Sequence, residues 1–177
     1  NTRLQVEHPV TEAITGTDLV EWQIRVARGE TLPKAQEDLS IEGHAFEIRL
    51  YAEDPDNDFL PAIGRLKDLH LHEEAGIRVD TGVRSGDEIS IFYDPMIAKI
   101  ITYGPDRPSA LQRMADALDN SHVLGLTTNK AFLSRIMAHP VFQRGDVDTG
   151  FIPRYLDELL PSKSEIAAPL FIMAALA

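Results

Sequence analysis

The chain has 177 residues, of which 44% are hydrophobic and 25% are charged, as in an ordinary globular domain. Acidic residues outnumber basic ones by 28 to 17, and the formal net charge of -11 argues against a general nucleic-acid or anionic-membrane surface. The sequence contains no cysteine, which excludes disulfides, thiolate nucleophiles and cysteine-bound zinc within this chain.

The sequence has no apolar run near the roughly 20 residues that cross a bilayer, and its start shows no signal-peptide pattern. It also begins without methionine, directly in a polar run. We therefore expect a soluble fragment of a longer polypeptide, with no nucleic acid and no membrane as partner.

The first twelve residues, N-T-R-L-Q-V-E-H-P-V-T-E, carry polar side chains at alternate positions: Asn1, Arg3, Gln5 and Glu7. Successive side chains of a strand point to opposite faces. A strand here would put this set on one face and anchor Leu4 and Val6 in a core. Pro9 lacks the N–H that a sheet ladder needs, so it is predicted to end the strand.

The chemistry of this polar face suits a small acid beside a cation. Arg3 has a planar fork that matches carbonate, carboxylate or phosphate oxygens. Glu7 is able to accept a proton from an acid that Arg3 holds. Asn1 offers a neutral oxygen of the kind that Mg²⁺ accepts among carboxylates, waters and phosphates. By spacing alone, an exposed strand face of mixed polarity is the favoured interpretation, since such faces are common.

The order of these twelve residues closely resembles the end of the ATP-grasp domain in biotin carboxylases and biotin-dependent carboxylases. In that family, MgATP activates bicarbonate as carboxyphosphate, and N1 of biotin is then carboxylated. The resemblance implies that Asn1 is a ligand of the Mg²⁺ or Mn²⁺ that bridges the ATP phosphates. It implies that Arg3 is the catalytic arginine that holds bicarbonate and that Glu7 is the base that deprotonates it. Gln5 and the Val6 backbone are implied as further bicarbonate contacts.

Two helices are predicted after this run. The segment V-T-E-A-I-T favours a short helical turn that Gly16 interrupts. Asp18 is a candidate N-cap for a second helix, with Glu21 three residues later in a variant of the capping box, and Gly29 marks its end. Trp22 lies among aliphatic residues at helical spacing, so we predict it as a core contact.

A new unit opens with G-H-A-F-E-I-R-L-Y-A-E-D-P. Its alternation of apolar and polar residues predicts a half-buried strand. An exposed arginine paired with Glu47 is the simplest interpretation of Arg49. The segment also resembles the second signature of biotin carboxylases, which implies that Arg49 faces the ureido ring of biotin. Its charge would stabilise the enolate that forms when N1 loses its proton. We assign Glu47 a structural role.

The remaining elements are predicted by periodicity. Residues 77–83 and 88–93 favour two strands joined by R-S-G-D, and residues 96–101 favour a core segment. Lys99 is predicted to extend from this segment to the surface, with a cation that faces a ligand as the alternative. Helices are predicted over residues 108–120 and, with Asn129 in the capping segment, through Met137. Residues 155–160 favour a last helical turn. The stretch T-G-V-R-S-G-D resembles the acyl-CoA carboxylase branch of the family. H-P-V-F, followed by D-T-G-F-I and L-L-P, is similar to methylcrotonyl-CoA carboxylase alpha subunits, with propionyl- and geranyl-CoA carboxylases as close competitors.

The resemblance spans roughly residues 1–160 and implies an α+β fold. Residues 1–41 would be the end of an ATP-grasp domain, 42–160 the biotin carboxylase C-terminal domain with a small antiparallel sheet backed by helices, and 161–177 a linker. The implied activity of the full-length parent is that of an ATP-dependent biotin carboxylase, a C–N ligase with biotin, ATP and Mg²⁺ or Mn²⁺ as cofactors. The fragment alone is expected to be inactive, because the nucleotide-binding residues would lie upstream.

The implied partners are bicarbonate, a biotinylated carrier domain and a carboxyltransferase subunit, in an oligomer. The expected location is the bacterial cytoplasm or the mitochondrial matrix. Two alternatives remain open: another ATP-grasp ligase of the carbamoyl-phosphate synthetase kind, or a non-catalytic assembly module. Convergence of Arg3, Glu7 and Arg49 on one cleft would favour a catalytic role.

Overall fold

The structure, a computed structural model, describes residues 3–161. Asn1, with its predicted metal-binding role, and almost all of the predicted linker lie outside these residues. The helices are α1 (His8–Thr15), α2 (Leu19–Ala27), α3 (Arg107–Asn120), α4 (Lys130–Ala138), α5 (Pro140–Arg144), α6 (Phe151–Arg154) and α7 (Leu156–Leu159). The strands are β1 (His44–Tyr51), β2 (Glu53–Asp54), β3 (Leu60–Pro61), β4 (Gly64–Arg65), β5 (Asp68–His70), β6 (Ile77–Thr81), β7 (Glu88–Ile89), β8 (Met96–Gly104) and β9 (His122–Leu124). Within residues 3–161, no helix has the length and apolar character that crossing a bilayer requires.

A three-stranded antiparallel sheet organises the fold, with β8 between β1 and β6. The apolar run predicted as a core segment forms this central strand, and its isoleucines suit a position covered on both faces. Ile97, Ile100 and Ile101 are all buried. The predicted α+β architecture, a small antiparallel sheet backed by helices, is therefore confirmed.

Helices α3 and α4 cover one face of this sheet and form the larger core. Met114 and Leu118 of α3 are fully buried, and Phe132 and Met137 of α4 pack into the same cluster as Ile100. Their helical spacing puts these apolar residues on the inner face of each helix. A second cluster, with Leu50, Leu66, Ile89 and Ile97, lies beneath the short strand pairs β4–β7 and β5–β9.

The two strands predicted over residues 77–83 and 88–93 are shorter than expected and have different partners. β6 ends at Thr81 and pairs with β8, whereas β7 has two residues and pairs with β4. The turn between them forms two hydrogen bonds with Leu66, the residue that follows β4. Gly86 N–H donates to the Leu66 carbonyl at 2.7 Å, and Leu66 N–H donates to the Asp87 carbonyl at 2.9 Å. These bonds direct the chain away from β6.

The strand predicted for residues 1–7 is wrong over the described part, residues 3–7. These residues form a bend and a turn, in which His8 N–H donates to the Gln5 carbonyl at 3.2 Å. Pro9 does not end a strand but lies in the first turn of α1, where its missing N–H needs no partner. Leu4 and Val6 are 37% and 36% exposed, so they do not anchor this segment in a core.

The predicted caps of α1 and α2 are confirmed, but the predicted burial of Trp22 is not. Gly16 ends α1 in the left-handed conformation, with φ of 60°. Asp18 caps α2 by accepting a hydrogen bond from the Glu21 N–H at 2.8 Å. No residue of α2 is buried, because this helix does not pack against the sheet core, and Trp22 is half-buried beside a cleft.

Candidate functional site

The sheet face opposite α3 carries five charged side chains, which we call the charged layer: Glu47, Arg49, Arg78, Asp80 and Lys99. Strand alternation places them there, since their neighbours along each strand point into the core. The register explains their proximity, because Arg49 pairs with Lys99 across β1 and β8, and Lys99 pairs with Asp80 across β8 and β6.

Asp80 is the most strongly paired carboxylate of the layer. It accepts two hydrogen bonds from Arg78, at 2.8 and 2.9 Å, and lies 3.2 Å from the Lys99 Nζ. Burial alone would raise the pKa of Asp80, but these bonds outweigh burial and the pKa is lowered. The prediction that Lys99 extends to the surface is wrong: its side chain is 16% exposed and pairs with Asp80.

Helix α1 lies across the charged layer. Its Glu12 side chain, 13% exposed, is 3.6 Å from the Arg78 guanidinium and also accepts a hydrogen bond from the Leu19 N–H at 2.9 Å. Pro9 is buried, and Glu42 N–H donates to the Ile14 carbonyl at 2.8 Å. These contacts carry the start of α1, with Glu7, to the edge of the sheet where β1 runs.

Glu7 and Arg49, 42 residues apart in sequence, meet at this edge. Arg49 Nη2 donates to Glu7 Oε2 at 3.3 Å, and Arg49 Nε lies 3.6 Å from Glu47 Oε1. The guanidinium therefore faces two carboxylates. Arg49 and Glu7 are 42% and 57% exposed, so a ligand has access to both, whereas the Glu47 side chain is 4% exposed.

Glu7 also lines a cleft of about 670 Å³ together with Arg3 and Gln5. The other wall of this cleft is apolar and includes Trp22 and Leu19 of α2. Val6 lies in the turn between Gln5 and Glu7. The structure thus brings Arg3, Gln5 and Glu7 to one cleft and puts Arg49 against Glu7 at its edge. Three of these side chains come from the segment that was expected to be a strand.

The sequence does not predict that the Glu47 side chain is buried. Its Oε2 atom is buried and has no hydrogen-bond partner among residues 3–161. Burial raises the pKa of Glu47, and the positive charges of Lys99 and Arg49 only partly oppose this rise. The one available signal was its position two residues before Arg49, which puts both side chains on the same strand face.

Asn129 has a different role from the predicted helix cap. Its side chain makes no capping bond to α4. Instead, Oδ1 accepts from the Tyr51 N–H at 3.0 Å and Nδ2 donates to the Arg49 carbonyl at 3.1 Å. β1 is an edge strand, and its register with β8 shifts between Leu50 and Tyr51. Asn129 therefore supplies the hydrogen bonds that a neighbouring strand would make, and it fixes the backbone around Arg49.

The sheet, the helices behind it and the Arg49 segment define a recognisable class of domain. Residues 47–154 match the family described as the biotin carboxylase C-terminal domain. Residues 1–35 match the family described as the carbamoyl-phosphate synthase L chain, ATP binding domain. The chain belongs to the biotin carboxylase family.

Its relatives include subunits of acyl-CoA carboxylases. The chain is 53% identical, over 99% of its length, to the mitochondrial methylcrotonoyl-CoA carboxylase subunit alpha of Mus musculus. It is 55% identical over 86% of its length to the mitochondrial propionyl-CoA carboxylase alpha chain of Homo sapiens. The chain spans 25% and 21% of these two relatives.

A solved structure shows the same fold. The biotin carboxylase domain of 2-oxoglutarate carboxylase from Hydrogenobacter thermophilus, a dimer in complex with MgADP, ADP and bicarbonate, superposes with a TM-score of 0.87 at 40% identity. The likeness covers 92% of this chain and 36% of that one.

Proposed function

We propose that this chain contributes the bicarbonate- and biotin-facing side of an ATP-dependent biotin carboxylase. The observation that carries the proposal is the contact between Glu7 and Arg49, at 3.3 Å, beside the cleft that Arg3 and Gln5 line. A carboxylate base, Glu7, beside the Arg3 guanidinium suits the binding and deprotonation of a small oxyacid. The Arg49 guanidinium at the same edge suits a second substrate that develops negative charge. An assembly module would have no need for this arrangement.

In this proposal, Arg3 and Gln5 hold bicarbonate in the cleft. The bidentate fork of Arg3 matches two oxygens of the anion, and Gln5 adds a neutral hydrogen bond. Glu7 accepts the proton of the bicarbonate hydroxyl, so that the resulting carbonate is a better nucleophile toward phosphorus. The exposed side of Glu7 gives the proton a route to solvent after turnover.

Arg49 serves the second half of the reaction. Biotin, when bound, supplies the ureido nitrogen that accepts the carboxyl group. The fit rests on the Arg49 guanidinium, which is 42% exposed and points at the same edge as Glu7. A fixed positive charge there stabilises an oxygen that becomes negative when the ureido N–H is lost. Asn1, beyond the described residues, would hold the Mg²⁺ or Mn²⁺ that binds the ATP phosphates.

We further propose an acyl-CoA carboxylase of the methylcrotonyl-CoA or propionyl-CoA kind as the parent enzyme, because relatives of both names are more than 50% identical to the chain. A biotinylated carrier domain and a carboxyltransferase subunit would be its partners, within an oligomer. The mitochondrial names of these relatives favour the mitochondrial matrix for a eukaryotic source, and the cytoplasm is proposed for a bacterial one. Residues 1–41 and 42–160 would be parts of two domains of that enzyme, with 161–177 as a linker.

The test measures bicarbonate- and biotin-dependent ADP release by a full-length carboxylase that contains this segment. We expect both Arg3→Ala and Glu7→Gln to lower the rate of bicarbonate activation. For Glu7→Gln, which removes the base, the expected loss is about 10²- to 10⁴-fold. Arg49→Ala is expected to impair the biotin-dependent step selectively. Biotin-independent turnover that survives Arg49→Ala would indicate another ATP-grasp ligase. A folded wild type without turnover would indicate the assembly module.

A further inference from the structure

We infer that Glu47 is a positioning residue, whose buried carboxylate holds the Nε end of Arg49 so that Nη2 can exchange Glu7 for a developing oxyanion. This inference deepens the proposed function and rests on it. Glu47 lies two residues before Arg49 on β1, and both side chains point from the same sheet face.

The contacts of Arg49 are divided between a rigid partner and an accessible one. Nε faces Glu47 Oε1 at 3.6 Å, and Nη2 donates to Glu7 Oε2 at 3.3 Å. The Glu47 side chain is 4% exposed on a strand, whereas Glu7 is 57% exposed at the start of α1. The outer end of the guanidinium is therefore the end that can change partner.

Proton transfer to Glu7 provides the event that changes the partner. In the proposed reaction, the proton moves from the bicarbonate hydroxyl to a carboxylate oxygen of Glu7. The neutral carboxyl group attracts Nη2 of Arg49 less strongly, because the ionic part of the contact is lost. Glu47 still holds Nε, so the guanidinium stays oriented while Nη2 becomes available. Bicarbonate deprotonation and preparation of Arg49 for biotin are thus coupled through one side chain.

The surroundings of Glu47 disfavour the ionised carboxylate in the folded chain. Its Oε2 atom is buried and unpaired among residues 3–161. The charged groups around it are Arg49 of the same strand, Lys99 of β8 and Glu7, just before α1. Burial raises its pKa, which means that the ionised form is less favourable in the folded chain than in the unfolded chain. A purely structural residue at this position would be better served by a neutral side chain.

The experiment compares Glu47→Gln with wild type in a full-length carboxylase that contains this segment. Glu21→Gln is the matched control, because Glu21 also pairs with an arginine but lies on the exposed face of α2. We expect Glu47→Gln to lower kcat of the biotin-dependent reaction about tenfold to a hundredfold, the usual effect of losing a residue that orients an active-site group. The KM for bicarbonate and the melting temperature at pH 7 should stay close to the wild-type values. Glu47→Asp should restore part of kcat.

Each result decides between the two proposals. A wild type without biotin-dependent turnover contradicts the proposed function itself. An active wild type whose kcat is unaffected by Glu47→Gln overturns the positioning role alone. A Glu47→Gln variant that loses melting temperature and every partial activity in parallel also overturns it, since that pattern belongs to a structural residue.

Discussion

The environment of Arg49 depends on its own strand and on two segments that are distant in sequence. Glu7, just before α1, and Glu47 of β1 contact its side chain, while Asn129 before α4 bonds to its backbone. An edge strand has unpaired backbone groups on its outer side, and a side chain amide can satisfy both a donor and an acceptor there. Precise orientation of one guanidinium therefore requires contacts that no short stretch of sequence contains.

Two carboxylates of the charged layer respond to pH in opposite directions. The pKa of Asp80 is lowered, so its ion pairs contribute stability above the ordinary aspartate pKa, and this contribution is lost as the pH falls through the lower folded value. The pKa of Glu47 is raised, so folding becomes less favourable as the pH rises from the ordinary glutamate pKa through the higher folded value.

Asp80→Asn is expected to lower the free energy of unfolding by about 1–3 kcal/mol at pH 7, because Arg78 and Lys99 lose a charged partner. Urea denaturation of the chain at several pH values measures this. The difference from wild type should shrink toward zero as the pH falls below the lowered pKa of Asp80. A difference that is constant with pH would mean that the charge of Asp80 contributes nothing.

At the scale of elements, α1 is attached to the sheet differently from α3. Met114 and Leu118 of α3 are buried against β8 in an apolar core, whereas α1 faces the charged layer through Glu12. Apolar contacts tolerate small shifts, but ion pairs and hydrogen bonds have directional requirements. The charged contact suits an element that has to present Glu7 at a defined distance from Arg49.

The junction between β8 and α3 depends on a glycine. A Cβ added at Gly104 would lie 2.6 Å from the Ala110 nitrogen, whereas one added at Gly82, after β6, would have nothing within 4 Å. We expect Gly104→Ala to lower the free energy of unfolding by about 1–3 kcal/mol, as overpacking does. Gly82→Ala is the control and should be within about 0.5 kcal/mol of wild type. Equal effects in chemical denaturation would contradict close packing at this junction.

At the scale of the whole molecule, burial is unevenly distributed along the chain. The sheet with α3 and α4 contains the larger core, and a second cluster lies beneath the short strand pairs. No residue of α2 is buried. The net charge of -11 likewise does not describe the site, where basic and acidic groups alternate across three strands. The larger apolar core and the charged groups of the site therefore lie on opposite faces of the same sheet.

Hydrogen–deuterium exchange of the chain should follow this distribution. We expect the amides of β8 to exchange most slowly, through global unfolding, because this strand is central and buried. The amides of α2 should exchange fastest among the helices of eight residues or more, because local opening of α2 exposes no core. Mass spectrometry of peptides from the two elements measures the difference. Similar protection of α2 and β8 would show that the chain unfolds as a single cooperative unit.

Several elements follow from local sequence alone. The alternation in β1 and the helical spacing in α3 predict these two elements close to their observed bounds. The isoleucine-rich run over residues 96–101 predicts burial, and the structure shows that it belongs to the strand β8. The Asp18 and Gly16 caps also follow, because a cap depends on the side chain or backbone freedom of one residue near a helix end. The two signature motifs identify the family for a related reason, since each is a continuous run of residues.

Only the tertiary structure decides which residues of the site meet. Residues 3–7 form a turn before a helix, although their alternation is typical of a strand, because a strand needs a partner and none of the described strands pairs with them. Lys99 points into the charged layer, Asn129 bonds to β1 and Glu47 is buried beneath Arg49. Periodicity and caps are properties of neighbours in sequence, whereas strand register and helix docking bring together groups such as Glu7 and Arg49 that lie 42 positions apart.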